Sequence, residues 1–493
     1  MELNKTLQQG ITALKEGNFK EAERLYCEIL RTNPTNPYAN HNLGITLLAL
    51  GKLNEAETSF KKAVTLKQDY LEAYNYLGIT LQKLRKLNEA EVIFKKALTL
   101  RPDYVEVYNN LGITLQTLRK LNEAEQIFKK ALTLKPDFTI VHNNLGNTLK
   151  YLGRLNEAEA SFKKAVELKP DYLEAYNNLG ITLKSLGKLN EAEEIFNKAL
   201  AIKADYKPAL LNRGQILFDK REFELSLKDF DTCNIPYSRF RALISLYALG
   251  RVKEIYQRIK AHSELDNENL NIAAFSTFIA NKEKKDTTHY FCKNPMDFIN
   301  VSNLSSHIKN TNTFINEVIE ELHNVKTFWE PYNKTTYKGF VSISNLFDNP
   351  SAKLNNLKSI IKNELDLYYL KFKNESCSYI EKWPTKKNLF AWHVILKNQG
   401  YQNAHIHPGG WLSGVIYLKV VPALEKNEGA LEFGLNGTLY SDVNSPKVIY
   451  QPKIGDIIFF PSSLHHKTIP YSTDTDRISI AFDLLPEGVI YQQ

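Results

Sequence analysis

Residues 77–108 read LGITLQKLRKLNEAEVIFKKALTLRPDYVEVY, and this stretch decides how the first half of the chain folds. Apolar side chains recur every three or four positions, at Leu77, Leu81 and Leu84 and again at Ala90, Ile93, Phe94 and Ala97. That is the spacing of a single helical face, so two amphipathic helices are expected. Pro102 follows the second and cannot continue it, which sets a turn. Working outward, Gly78 has counterparts at Gly10, Gly44, Gly112, Gly146, Gly180 and Gly214, each 34 residues from the next. Ala22, Ala56, Ala90, Ala124, Ala158 and Ala192 keep the same interval, with Ser226 in the seventh place. Pro34, Pro102, Pro136 and Pro170 follow it as well. Gly and Ala suit points where paired helices approach closely. A single unit cannot bury its own apolar face, so neighbouring units must stack to make a core.

This pattern resembles the tetratricopeptide repeat. Seven copies of period 34 predict an all-α solenoid over residues 1–236. Residues 237–285 still read as amphipathic helices but lack the Gly and Ala positions, and are expected to cap the array. Asn42, Asn110, Asn144, Asn178 and Asn212 stand two residues before the repeat glycine. The resemblance implies that part of each unit's first helix lines a concave face that holds peptides. Asn110, Asn144 and Asn178 are then candidates to bond a bound peptide backbone, since each amide both donates and accepts. The alternative is that they bridge neighbouring units or face water.

Bulk properties narrow the function. At 493 residues the chain exceeds one core. A net charge of +8 with no block of Lys and Arg gives no footprint for nucleic acid. No apolar run is long enough to span a membrane, and the N-terminus does not read as a signal peptide. Cys27, Cys233, Cys292 and Cys377 have no CxxC spacing, so neither a disulfide framework nor a thiolate zinc site is suggested, and a cytoplasmic setting is expected.

From residue 286 the composition changes. Two helical patterns occur in NTNTFINEVIEELHNVK and LNNLKSIIKNELDLYYLKF. Short apolar runs between turn residues follow: LFAWHVILK, WLSGVIYLKVV, GALEFGLNG, KVIYQP, GDIIFFPSS and RISIAFDLL. Such runs suggest a sandwich or barrel of antiparallel strands. His405-Ile406-His407 precedes the second run, and alternate residues of an extended segment share a face. His465 and His466 follow the fifth run, and Arg477-Ile478-Ser479 opens the last.

In this order, HIHPGGWLSGVIYL, then IGDIIFFPSSLHHKTIP, then RISIAFD resemble the double-stranded β-helix (jelly-roll) of iron(II)- and 2-oxoglutarate-dependent oxygenases. FCKNPMDF and TTYKGF look like the lead-in of the same branch. The resemblance implies an oxygenase domain over 286–493 with its barrel core at about 386–486, flanked by helices. It implies Fe(II) and 2-oxoglutarate as cofactors, O2 as co-reactant, and His405 and His466 as iron ligands. The family's general pattern has a carboxylate two residues after the first histidine, where this chain has His407. His407 either completes a three-histidine site, the favoured reading because imidazole suits iron, or supports a site of two histidines and water. His465 competes with His466, and adjacent strand residues face opposite ways. Arg477 is the expected clamp for the distal carboxylate of 2-oxoglutarate, with Ser479 as a further donor. Tyr417 and Trp392 are candidate pocket residues. The implied reaction decarboxylates 2-oxoglutarate to succinate and CO2 while a C–H bond is hydroxylated, with the repeats holding a protein or peptide. The rival expectations are a non-catalytic repeat adaptor with a degenerate barrel, and a cupin-like metalloenzyme that uses no 2-oxoglutarate.

Overall fold

The computed structural model describes residues 2–331, 335–422 and 425–489. It divides into two units, Met1–Lys220 and Arg221–Gln493. The sequence places the end of the repeats after residue 236. The seventh repeat's helices, Lys207–Asp219 and Phe223–Cys233, end at residue 233, and the division into units falls between them.

In the first unit, helices pair as the period requires: Leu71–Lys83 with Leu87–Leu100, Val105–Thr117 with Leu121–Leu134, and so along the array. The repeat glycine has a steric cause. A Cβ on Gly78 would lie 2.4 Å from the Phe94 ring, and one on Gly112 would lie 2.4 Å from Phe128. Each glycine thus makes room for the aromatic side chain of the partner helix. The turn between paired helices uses a left-handed residue, glycine at Gly51, Gly153 and Gly187 but Arg85 and Arg119 elsewhere. A second ladder has no counterpart in the sequence reading. The Glu91 carboxylate accepts from Lys95 of its own helix at 2.5 Å and from Lys120 of the next repeat at 2.8 Å. Glu57, Glu125 and Glu159 do the same with their own neighbours. Burial works to raise the Glu91 carboxyl, but hydrogen bonds from Lys120 and Lys95 outweigh it and hold it below its ordinary value.

The second unit opens with Phe223–Cys233 and three further helices, Pro236–Ala248, Val252–Ala261 and Leu270–Glu283. Ten strands follow among the described residues: β1 (Asn300–Asn303), β2 (Thr327–Trp329), β3 (Thr336–Ser342), β4 (Asn388–His405), β5 (Leu412–Lys419), β6 (Leu431–Gly434), β7 (Lys447–Tyr450), β8 (Asp456–Pro461), β9 (His465–Thr468) and β10 (Arg477–Leu485). All strand pairs are antiparallel, and the sheet runs β1-β8-β5-β10-β4-β9-β6-β7, with β3 on β4 and β2 on β3. β4 is the joint of the curled sheet. Residues 388–396 pair with β10, whereas Gln402 and His405 pair with β9 across an irregularity. Helices Thr311–His323 and Ala352–Phe372 cover one face, and Leu357, Ile361, Leu365 and Tyr368 join Leu412, Ile416, Ile457, Phe459 and Phe482 in the main core. The opposite face is left to line a cavity.

Candidate functional site

Three histidines meet where β4 and β9 pair. His405 is the register partner of His466, and their rings lie 4.3 Å apart. His407 follows in the turn after β4, with its ring 5.1 Å from His405 and 5.0 Å from His466. One nitrogen from each residue lies within 4.8 Å of the other two. The remaining nitrogens explain how the rings are aimed. Nδ1 of His405 meets the Asn403 carbonyl at 2.7 Å, Nδ1 of His466 meets the Leu464 carbonyl at 3.2 Å, and Nδ1 of His407 meets an Asp483 carboxylate oxygen at 2.7 Å. Each Nδ1 faces an acceptor, so each Nε2 is the nitrogen left free for the cluster. Burial, reinforced by the neighbouring His407, pushes His405 down to about 3, and burial holds His466 well below its ordinary value. Both imidazoles are therefore neutral at physiological pH, which is the state that binds metals. His465 goes elsewhere. It points at Gly437 and sits edge-on to Tyr440, 5.6 Å between centroids.

Across the cavity, β10 presents Arg477 and Ser479 two residues apart on one face, both buried. Tyr417 of β5 is the register partner of Ser479. The Arg477 guanidinium donates through Nη2 to the Tyr417 hydroxyl at 2.9 Å and lies 4.7 Å over that ring. Its Nε has no partner. The two acids near it in sequence are engaged elsewhere: Asp476 with Lys397 at 2.6 Å, and Asp474 with Asn398 at 2.9 Å. Among the described residues, then, Arg477 is a buried cation with no acid facing it. Trp392, Val394, Val415, Leu431 and Phe460 complete the cavity wall.

The Asn amides bond to one another along the array. Asn110 donates to Asn75 at 2.9 Å, Asn144 to Asn109 at 2.9 Å and Asn178 to Asn143 at 3.0 Å, each pair one repeat apart. These N–H groups are committed to tying adjacent repeats together. A half-buried amide beside an identical neighbour satisfies itself locally, and the spacing alone does not reveal that the partner stands in the preceding unit.

Asp483 is the site residue that sequence reasoning missed. It is fully buried on β10, accepts from His407 and from the Ser413 hydroxyl at 2.6 Å, and sits four residues after Ser479 on the same strand. Nothing in RISIAFDLL sets the acid apart except its apolar neighbours Phe482 and Leu484.

Comparison with known proteins agrees with both halves. Residues 390–483 match the family described as "Putative 2OG-Fe(II) oxygenase". Residues 13–78, 69–137 and 137–205 match tetratricopeptide repeat families. The chain thus joins tetratricopeptide repeats to a domain that matches the model of that oxygenase family. No curated protein matches it. Among solved structures it is similar to MamA, 28% identical over 33% of this chain and 94% of that one with a TM-score of 0.32. It is also similar to TTC0263, a thermophilic TPR protein of Thermus thermophilus, 27% identical over 37% and 98% with a TM-score of 0.31. A third is YrrB, whose structure is described as that of a TPR protein with an unusual peptide-binding site, 25% identical over 38% and 95% with a TM-score of 0.33.

Proposed function

We propose that the chain is an iron(II)- and 2-oxoglutarate-dependent dioxygenase that hydroxylates a protein or peptide brought to it by the repeats. The observation that carries this reading is the pairing, in one cavity, of three converging imidazoles with a buried guanidinium that no acid neutralises. Buried Arg is seldom left unpaired. A dicarboxylate that reaches from the histidines to Arg477 would supply the missing charge. The strand path supports the same reading: the start of β4 with β10, β5, β8 and β1 forms one ladder, and the end of β4 with β9, β6 and β7 forms the other. Two such ladders joined through one bent strand are the plan of a double-stranded β-helix.

On this reading the Nε2 atoms of His405, His407 and His466 would hold the metal, whose chemistry would activate 2-oxoglutarate and O2. Arg477 receives the distal carboxylate of 2-oxoglutarate through the edge that includes its free Nε, with the Ser479 hydroxyl and the Tyr417 ring shaping that end. Bound iron(II), 2-oxoglutarate and O2 supply the oxidation of a C–H bond. Trp392, Phe460, Val415 and Leu431 exclude water around the reacting centre. Arg477 also counts against a decayed barrel, because a buried cation held only by Tyr417, with no acid beside it among the described residues, is costly to keep unused.

The test is turnover. The purified chain supplied with Fe(II), 2-oxoglutarate and air should release succinate, His466→Ala should abolish this, and His465→Ala should retain most of it. An iron-loaded chain that releases no succinate overturns the proposal.

A further inference from the structure

Each of the three imidazoles is held from behind through Nδ1, but the holders differ. His405 and His466 meet neutral backbone carbonyls, whereas His407 meets the Asp483 carboxylate. We infer that Asp483 is the positioning carboxylate of the metal centre, contributing through His407 the negative charge that a directly ligating acid supplies in a two-histidine, one-carboxylate set. The inference rests on the three-histidine reading above.

Several observations converge on Asp483. Its side chain is fully buried on β10, on the strand face that also carries Arg477 and Ser479 and opposite the core residues Ile478, Ile480, Phe482 and Leu484. No Lys or Arg pairs with it among the described residues, so ordinary ion pairing does not explain its retention in the core. Its Oδ1 accepts from His407 at 2.7 Å and from the Ser413 hydroxyl at 2.6 Å. Ser413 in turn lies 2.8 Å from the Ser462 hydroxyl, and the Ser462 carbonyl accepts from the His407 backbone N–H at 3.0 Å. One small network therefore fixes both the backbone and the ring of His407. Gly410 leaves it room: a Cβ there would lie 2.7 Å from Ser462 Oγ and 3.0 Å from the Asp483 carboxyl carbon. The second carboxylate oxygen of Asp483 has no partner, so the group is not merely satisfying Ser413.

The chemistry follows from that geometry. With Nδ1 donating to a carboxylate, His407 is locked with Nε2 toward His405 and His466. Three neutral imidazoles around a divalent cation leave two positive charges in a buried site. An acid one hydrogen bond away reduces that burden while leaving the ligand sphere all nitrogen.

Binding of Co(II), a spectroscopic stand-in for iron, tests this in the full chain without turnover. Wild type should bind Co(II), and Asp483→Asn should bind it roughly 10–100-fold more weakly, with a shifted visible spectrum. Asp483→Glu should recover part of the affinity. The melting temperature of each metal-free variant reports whether the barrel has held. A double-mutant cycle separates positioning from packing. In a His407→Asp background, where the acid ligates directly, Asp483→Asn should no longer weaken binding and should strengthen it by removing a second buried acid. Equal Co(II) affinity and spectrum in wild type and Asp483→Asn, or the same loss in both backgrounds, overturns the inference. A wild type that binds no metal at all would instead overturn the reading on which it rests.

Discussion

A glycine in the first helix of each of the first six repeats faces an aromatic ring in the second, and the clearance between them leaves no space for a methyl group. At Gly112 the added Cβ would meet Phe128, which is fully buried and has no room to turn. Gly112→Ala should therefore lower stability by about 1–3 kcal/mol, the cost typical of overpacking, despite alanine's better helix propensity. Urea unfolding of the two proteins checks this, and a more stable alanine variant would show that the pair is looser than the geometry says. Such residues are legible in the sequence because repetition exposes them. Gly78 alone means little, but Gly78 with six counterparts marks a packing contact. Residues that occur once are harder to read. His405, His466 and Arg477 are legible through their order along the strands, whereas Asp483 sits among apolar neighbours with no pattern to announce it.

At the scale of elements, the second repeat carries an irregularity that makes a pH-dependent contact. His41 takes the place held by Asn75, Asn109 and Asn143 in later repeats, and is buried among Phe60, Tyr70 and Tyr76 with ring centroids at 5.7, 4.7 and 5.6 Å. Its Nδ1 has no partner, and burial pushes the imidazole down to about 4. Because the folded value lies below the unfolded one, the unfolded chain gains a proton first as pH falls. Stability from this residue is unaffected above about 6.5 and falls between there and about 4. His41→Asn should remove that slope. Between pH 7.5 and pH 5 the wild type should lose about 2 kcal/mol more than the variant. Parallel pH profiles for the two proteins in urea unfolding would show that His41 is protonated as readily when folded. Strands divide in the same way between legible and illegible. β5, β8 and β10 carry long apolar runs and are expected from them. β1 and β2 are short edge segments and β3 lies between β2 and β4; their sequences NVSN, TFW and TYKGFVS carry no strong alternation, and the sequence pattern assigns no strand to them. β4 runs on to His405 through the polar stretch KNQGYQNA, because pairing with β3 and β9 holds it extended where propensity would not.

For the molecule as a whole, the repeat array and the strand-rich domain are both legible, the first from period and the second from the order of its motifs. What the sequence cannot supply is pairing across distance: which repeat receives each Asn amide, and which acid stands behind which histidine. The central claim is that the histidine cluster and Arg477 form one site for a metal-bound dicarboxylate. The most direct measurement is anaerobic calorimetry of 2-oxoglutarate into the Mn(II)-loaded chain, with Arg477→Ala beside it. The wild type should bind 2-oxoglutarate one-to-one, and only with the metal present. Arg477→Ala should bind it roughly 10–100-fold more weakly with Mn(II) still held, since a charged hydrogen-bond partner is worth about 1.5–3 kcal/mol. A metal-loaded wild type that takes up no 2-oxoglutarate, or an Arg477→Ala variant that binds it as tightly, would contradict the account.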